Sequence, residues 1–341
     1  MPHAKIRPRE GDIFQDSNGI IFDVKGLVHP PNKIIAFPRF IPDPAGDRKQ
    51  KNVAYKKIYN ISERFKFLEQ HFPHYIVYDS VFDEKLCEVP IENVKKHYKP
   101  TNRLTELRHI GKLEFLEKDA LELFKLLKNY SNIPWNKMGL SGSLLVKLHK
   151  LDSDIDPIVY GSTNCLKAYS ALRSLLENAD SPFRPYARED LKVLFNFRSK
   201  DTFMNFEDFV KVESRKVLQG KFKNRDYFIR FVKDWDEMDE KYEEIQYENM
   251  GYAKIKAVVE EDSEAIFTPC KYKIKNLEIL DGVRFPVEEI VSFRGRFCEQ
   301  AKKGEAIIAQ GKVEKLSNSK SNREYFRLLL GNKHSDHMIL S

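Results

Sequence analysis

The hydrophobic pattern of this 341-residue chain changes its period twice, and that limits the folds open to it. A strand alternates every two residues and a helix every 3.6, so one stretch cannot serve as both. Near the N-terminus, Asp12-Ile-Phe-Gln-Asp and Ile20-Ile-Phe-Asp-Val flank Asn18-Gly19, a dipeptide that accepts positive φ and marks a hairpin. Lys33-Ile-Ile-Ala-Phe-Pro-Arg-Phe-Ile reads as a third strand, with Pro38 placing it at a sheet edge. A short helix is expected from Ser62 to about His71. From Leu113 the spacing becomes helical through Leu116, Ala120, Leu123, Phe124 and Leu127, and it stops near Asn132, before Pro134. A strand-like Ile155–Gly161 precedes helices at about 162–177, 187–197 and 206–218, and then a period-2 run from Asp226 to Val232. From Gly251 onward five short strands predict a small barrel or sandwich. The expected fold is therefore α+β and multidomain. An N-terminal α+β domain spans 1–104, a mixed-sheet core with helices 105–240, and a β-rich, barrel-like domain 241–341.

Charge is uneven along this pattern. The chain has 58 Lys and Arg against 51 Asp and Glu, a net +7 that favours a polyanionic partner without the basicity of a nucleic-acid coat. Lys233–Glu248 carries eight acids against two lysines and reads as an exposed helix or linker. Arg294–Lys333 carries ten basic residues against four glutamates, interleaved with Phe297, Tyr325 and Phe326. Such a surface suits single-stranded nucleic acid, and equally a solvated sheet with a buried aromatic face. His334, Asp336 and His337 read as a frayed polar tail. No apolar run reaches the roughly 20 residues of a membrane span, and no apolar segment follows the charged N-terminus. A cytoplasmic protein without membrane contact is expected. Cys87, Cys165, Cys270 and Cys298 form no CxxC pair and read as reduced structural thiols.

The chemistry concentrates in Gly142-Ser143, ten intervening residues, and Asp154-Ile155-Asp156. Two acids at i and i+2 of a strand share a face with Cα atoms about 7 Å apart, so both carboxylates can meet the same hard cations. Glycine lets the backbone approach a phosphate, and the Ser143 hydroxyl can donate to it. Rival motifs fail: an EF-hand loop from Asp152 would need glycine at Pro157 and glutamate at Thr163, and a GxSxG elbow from Gly139 would need glycine at Ser143.

This pairing at this spacing resembles the DNA polymerase β-like nucleotidyltransferase superfamily, over about residues 135–232. Outside it, Gly19-Ile-Ile-Phe-Asp-Val-Lys-Gly, His29-Pro30, Ile35-Ala-Phe and Ile266-Phe-Thr-Pro-Cys look like an archaeal group of predicted nucleotidyltransferases. The resemblance implies two Mg²⁺, with Mn²⁺ as a substitute, held by Asp154, Asp156 and a third acid on a neighbouring strand. Asp226 is the candidate for that acid, with Glu260-Glu261-Asp262 as the fallback. The segment between the second and third acidic strands is longer here than is typical of the superfamily. Gly142, Ser143 and Arg230 would bind the phosphates of a nucleoside triphosphate. The implied reaction moves a nucleoside monophosphate to a hydroxyl and releases pyrophosphate. An RNA or DNA end held by the basic C-terminal domain is the preferred acceptor. The alternatives are adenylylation of a protein or small molecule, and a non-catalytic nucleic-acid-binding protein on a transferase fold.

Overall fold

A computed structural model describes residues 7–200, 202, 204–238 and 240–341. The chain is a mixed α+β protein with several sheets, divided into two compact units. The first comprises Met1–Val77, Lys85–Phe183 and Lys221–Asp239, and the second Tyr78–Glu84, Arg184–Gly220 and Glu240–Ser341.

In the first unit the hairpin forms as its sequence predicts. Strand Ile13–Asp16 pairs antiparallel with Ile21–Val24, with Phe14 opposite Phe22. Gly19 turns the chain at φ +85°, while Asp16 Oδ1 accepts the N–H groups of Asn18 and Ile20 at 3.0 and 2.8 Å. Phe14 and Phe22 stack at 5.1 Å in a core with Leu68 and Tyr75, which the helix Ile61–His71 helps to cover.

The third strand, Lys33–Pro42, is not an edge. It pairs with Ile21–Val24 on one side and with Val53–Lys57 and Glu84–Pro90 on the other. Its proline is tolerated because the ladder breaks there: Ile21 pairs with Phe40 and Phe22 with Pro38, so Arg39 is the extra residue of a bulge.

Helix Phe115–Ser131 starts at a capping box, where the Glu114 N–H donates to Glu117 at 2.9 Å, and ends at Asn132 with φ +53°. A second sheet runs Arg230–Val232, Pro157–Tyr160, Met138–Leu140, the central strand parallel to the first and antiparallel to the last. The helix Ser162–Glu177 follows the central strand with Gly161, not Ser162 or Thr163, at its N-cap. The expected run 226–232 is two strands, Arg225–Phe228 and Arg230–Val232.

In the second unit the β segments close on themselves. Ile245–Glu261 pairs antiparallel with Cys270–Gly282, and this with Val287–Ser292. Val287–Ser292 pairs parallel with Arg323–Leu330, which pairs antiparallel with Ala306–Asn318. That strand returns to Ile245–Glu261, with Ala309 opposite Ile255. Two expectations change here. The acidic segment is not one helix: a short 3₁₀ turn at Trp235–Glu237 ends its part of the first unit, and after the chain passes into the second unit at Glu240 it becomes the first barrel strand, in which Ile245 is buried while Gln246 and Glu248 face water. The C-terminal tail is not frayed. His337–Leu340 adds a strand beside Ala306–Asn318, and buried Asp336 accepts the N–H groups of Gly331, Asn332 and Lys333. The four cysteines are free and buried. No helix among the described residues is long and apolar enough to cross a membrane.

Candidate active site

Strand Met138–Leu140 delivers the chain to Ser141, whose N–H donates to the Asp156 carbonyl at 2.9 Å and whose Oγ donates to the Gly11 carbonyl at 2.7 Å. Gly142 follows at φ +64°, and a Cβ there would lie 1.8 Å from Asp156 Oδ2. Glycine is thus required twice over, by the left-handed backbone and by the carboxylate against it. The turn leads into the short helix Gly142–Leu145, in which Ser143 is buried and its Oγ has no hydrogen-bond partner among the described residues.

The N-terminal sheet braces this loop from behind. Leu145, Val146 and Leu148 pack with Ile13, Ile21, Phe40, Tyr55 and Tyr98. Arg48 and Gln50 donate to the carbonyls of Leu148 and Val146 at 2.5 Å, and Arg103 Nε donates to that of Leu144 at 2.9 Å. Arg103 in turn ion-pairs with Glu117.

The acid pair is set by one buried residue. Ile155 bridges Tyr227 in parallel: its N–H donates to the Asp226 carbonyl at 3.0 Å, and its own carbonyl accepts from Phe228 at 3.3 Å. With Ile155 turned into the core, Asp154 and Asp156 point the other way. Burial pushes the Asp156 carboxyl up to about 7, and the charge of Asp154 adds to it; Lys57, Arg230 and Arg39 pull in the opposite direction. Asp154 and Asp156 offer carboxylate oxygens, and the buried Ser143 hydroxyl next to Gly142 has no partner among the described residues; oxygen donors of this kind suit a hard divalent cation such as Mg²⁺ or Mn²⁺.

Asp226 lies on the strand beside Asp154, but its carboxylate is 52% exposed and pairs with Lys221 at 2.9 Å. Among the described residues no group of three or more His, Cys, Asp or Glu side chains is placed to hold one metal ion. The structure therefore sets Gly142 against Asp156, keeps Asp154 within reach of the Asp156 charge, and leaves Asp226 on Lys221. Of the fallback acids, Glu261 pairs with Lys273 at 2.7 Å, and Asp262 accepts the Lys303 N–H at 3.1 Å.

Arg230 is not an uncommitted phosphate ligand: it pairs with buried Glu10 at 2.9 Å. Glu10 also accepts the Gly26 N–H at 2.7 Å. Burial works to raise the neighbouring Asp23 carboxyl, yet Lys25, Arg230 and Arg39 together hold it well below its ordinary value. Sequence reasoning missed this N-terminal group of Glu10, Asp23, Lys25, Arg39 and Lys57. The signal was present in the charges that interrupt apolar strands, Asp23 within Ile-Ile-Phe-Asp-Val and Arg39 within Phe-Pro-Arg-Phe.

The fold is mixed α+β, with two carboxylates flanking the bridge residue Ile155 just before the central strand of a three-stranded sheet. The uncharacterized protein MJ1086 of Methanocaldococcus jannaschii is 34% identical over 336 residues, covering 96% of each chain, and the chain belongs to the same family. No family model matches it, and no solved structure does.

Proposed function

We propose that the chain is a metal-dependent nucleotidyltransferase acting at Asp154 and Asp156. The observation that carries this reading is the Asp156 carboxylate, packed against the Gly142 backbone and raised by burial and by Asp154. Divalent metal bound there would neutralise the phosphates and stabilise the charge that develops on the leaving group. The chain's own part is to hold the two acids on one strand face and to present the Gly142–Ser143 turn to the phosphates. An acceptor oxygen forms a bond to the α-phosphorus, the bond to the β-phosphate oxygen breaks, and pyrophosphate leaves. The hydroxyl proton passes to a carboxylate, for which Asp226 is the candidate once it leaves Lys221.

An RNA or DNA end remains the proposed acceptor. The barrel supports it, because a first–second–third–fifth–fourth closure with a parallel third and fifth strand is the order of an OB-fold, whose second and third strands bind oligonucleotides. The pairing of Asp226 with Lys221 favours one second reading, a nucleic-acid-binding protein without catalysis. Incubation with α-labelled nucleoside triphosphates, Mg²⁺ or Mn²⁺, and RNA, DNA or a protein pool separates the two. Transfer that falls at least a hundredfold in Asp154→Asn and Asp156→Asn is expected. Absence of label transfer to every acceptor rejects the transferase.

A further inference from the structure

The first unit holds two partly buried cations outside any ion pair among the described residues, Arg39 and Lys57 on the N-terminal sheet. Their neighbours differ: Lys25 pairs with Asp23 at 2.8 Å and Arg230 with Glu10 at 2.9 Å. A partly buried cation outside an ion pair gives up hydration that a ring contact restores only in part, and an arriving anion would restore the rest.

Three features aim this pair. Arg39 is the extra residue of the bulge opposite Ile21 and Phe22, a device that re-aims a side chain out of strand alternation. Lys57 ends the adjoining strand, opposite Phe40. Both approach the Tyr59 ring, Arg39 Cζ at 4.9 Å and Lys57 Nζ at 4.7 Å from its centroid, which holds the two charges side by side at an open position. The same strands are tied to the loop after Ser143 by Phe40 and Tyr55, and by the bonds of Arg48 and Gln50 to Leu148 and Val146. Both cations also act on the charge of Asp156.

We propose that Arg39 and Lys57 bind the polyphosphate of a nucleoside triphosphate at the Asp154–Asp156 pair, with Tyr59 as the positioning residue that holds them. The N-terminal sheet is then half of the nucleotide site and not an accessory. Metal on the carboxylates would meet one side of the phosphate chain, and two fixed cations the other, as a guanidinium and an ammonium commonly do. The proposal rests on the acid pair being a metal–nucleotide site, yet its own ligand, inorganic tripolyphosphate, can be tested without metal.

The test is calorimetric titration of the full-length protein with tripolyphosphate, MgATP and AMP, beside Mn²⁺ binding read by electron paramagnetic resonance. Arg39→Gln and Lys57→Gln should each weaken tripolyphosphate and MgATP about tenfold, and the double variant about a hundredfold. Mn²⁺ alone should bind these variants as it binds the wild type, and Arg39→Lys/Lys57→Arg should recover most of the affinity. Tyr59→Ala should weaken tripolyphosphate severalfold and leave AMP unchanged. Wild-type affinity for tripolyphosphate in a folded double variant overturns the proposal, and so does an absence of metal-free binding by the wild-type protein, which needs no variant to fold. If Asp154→Asn keeps Mn²⁺ binding while the Arg39 and Lys57 variants lose tripolyphosphate, the acid-pair reading falls and the anion site stands.

Discussion

The cations of the N-terminal sheet and those of the C-terminal barrel face opposite circumstances. In the barrel, buried Arg327 pairs with buried Glu314 at 2.8 Å, and Lys312 pairs with Glu314 at 2.7 Å and with Glu84. Lys315 is taken by Glu324 at 2.8 Å, and Arg323 by Glu288. In the first unit Arg39 and Lys57 stand outside ion pairs among the described residues, and their charges act on Asp156, which burial and Asp154 push up. The barrel segment is the more basic in sequence, yet these four cations are already paired, Arg327 and Lys312 in the interior. A buried ion must be matched where it lies, so such residues hold strands together and add little to the field a ligand meets. A count of Lys and Arg along a segment therefore overstates what is available for binding.

This contrast can be broken by substitution, and the largest effect belongs to the barrel. Arg327→Leu leaves buried Glu314 to Lys312 alone and removes a guanidinium packed 4.7 Å from the Tyr247 ring, so a loss of about 3 kcal/mol is expected. Arg39→Gln leaves Asp23 to Lys25 and Arg230 and should cost no more than about 1 kcal/mol. Chemical denaturation of both variants checks this, and equal losses would erase the distinction between locked and waiting cations.

A pH effect comes next and belongs to the first unit. Burial lowers His29 to about 4 from 6.5, and its Nδ1 accepts the Ile35 N–H at 3.2 Å. Between these values the unfolded chain takes up a proton that the folded chain refuses, so stability is complete above pH 6.5 and declines as pH falls toward 4. The decline is at most about 3 kcal/mol, at about 1.4 kcal/mol per pH unit. Melting curves of wild type and His29→Gln across that window should converge at the acid end; parallel curves would acquit His29.

Gly142→Ala sharpens the comparison from the site itself. Its Cβ would meet Asp156 Oδ2 and its backbone would keep a left-handed φ, at a cost of about 1–3 kcal/mol, with the acid displaced. Mn²⁺ affinity is the decisive reading, because a variant that merely lost stability would still bind metal as the wild type does.

Much of the fold was legible because local pattern and local chemistry agree in it. The hairpin about Asn18-Gly19, the helix that ends at Asn132 and the five barrel strands follow from alternation, turn residues and caps that act within a few positions. The misreadings fall where partners are distant. Pro38 implied an edge, but the strand is internal and Arg39 bulges there. The last residues looked like a loose tail until Ala306–Asn318 offered them a ladder. In the site, Asp154 and Asp156 announced themselves because i and i+2 of a strand share a face whatever surrounds them.

By itself, then, the sequence determined the first hairpin, the long helix, the β-rich character of the last hundred residues, the glycine turn and the pairing of two acids on one face, since each depends on backbone geometry over a few residues. Only the tertiary structure decided which charges remain available. It placed Arg39 and Lys57 where their charges act on Asp156, turned Asp226 to Lys221 and Arg230 to Glu10, and buried Arg327 and Lys312 on Glu314. Ion pairing depends on which side chains meet within a few ångströms, and these meet across separations in sequence that no local pattern encodes.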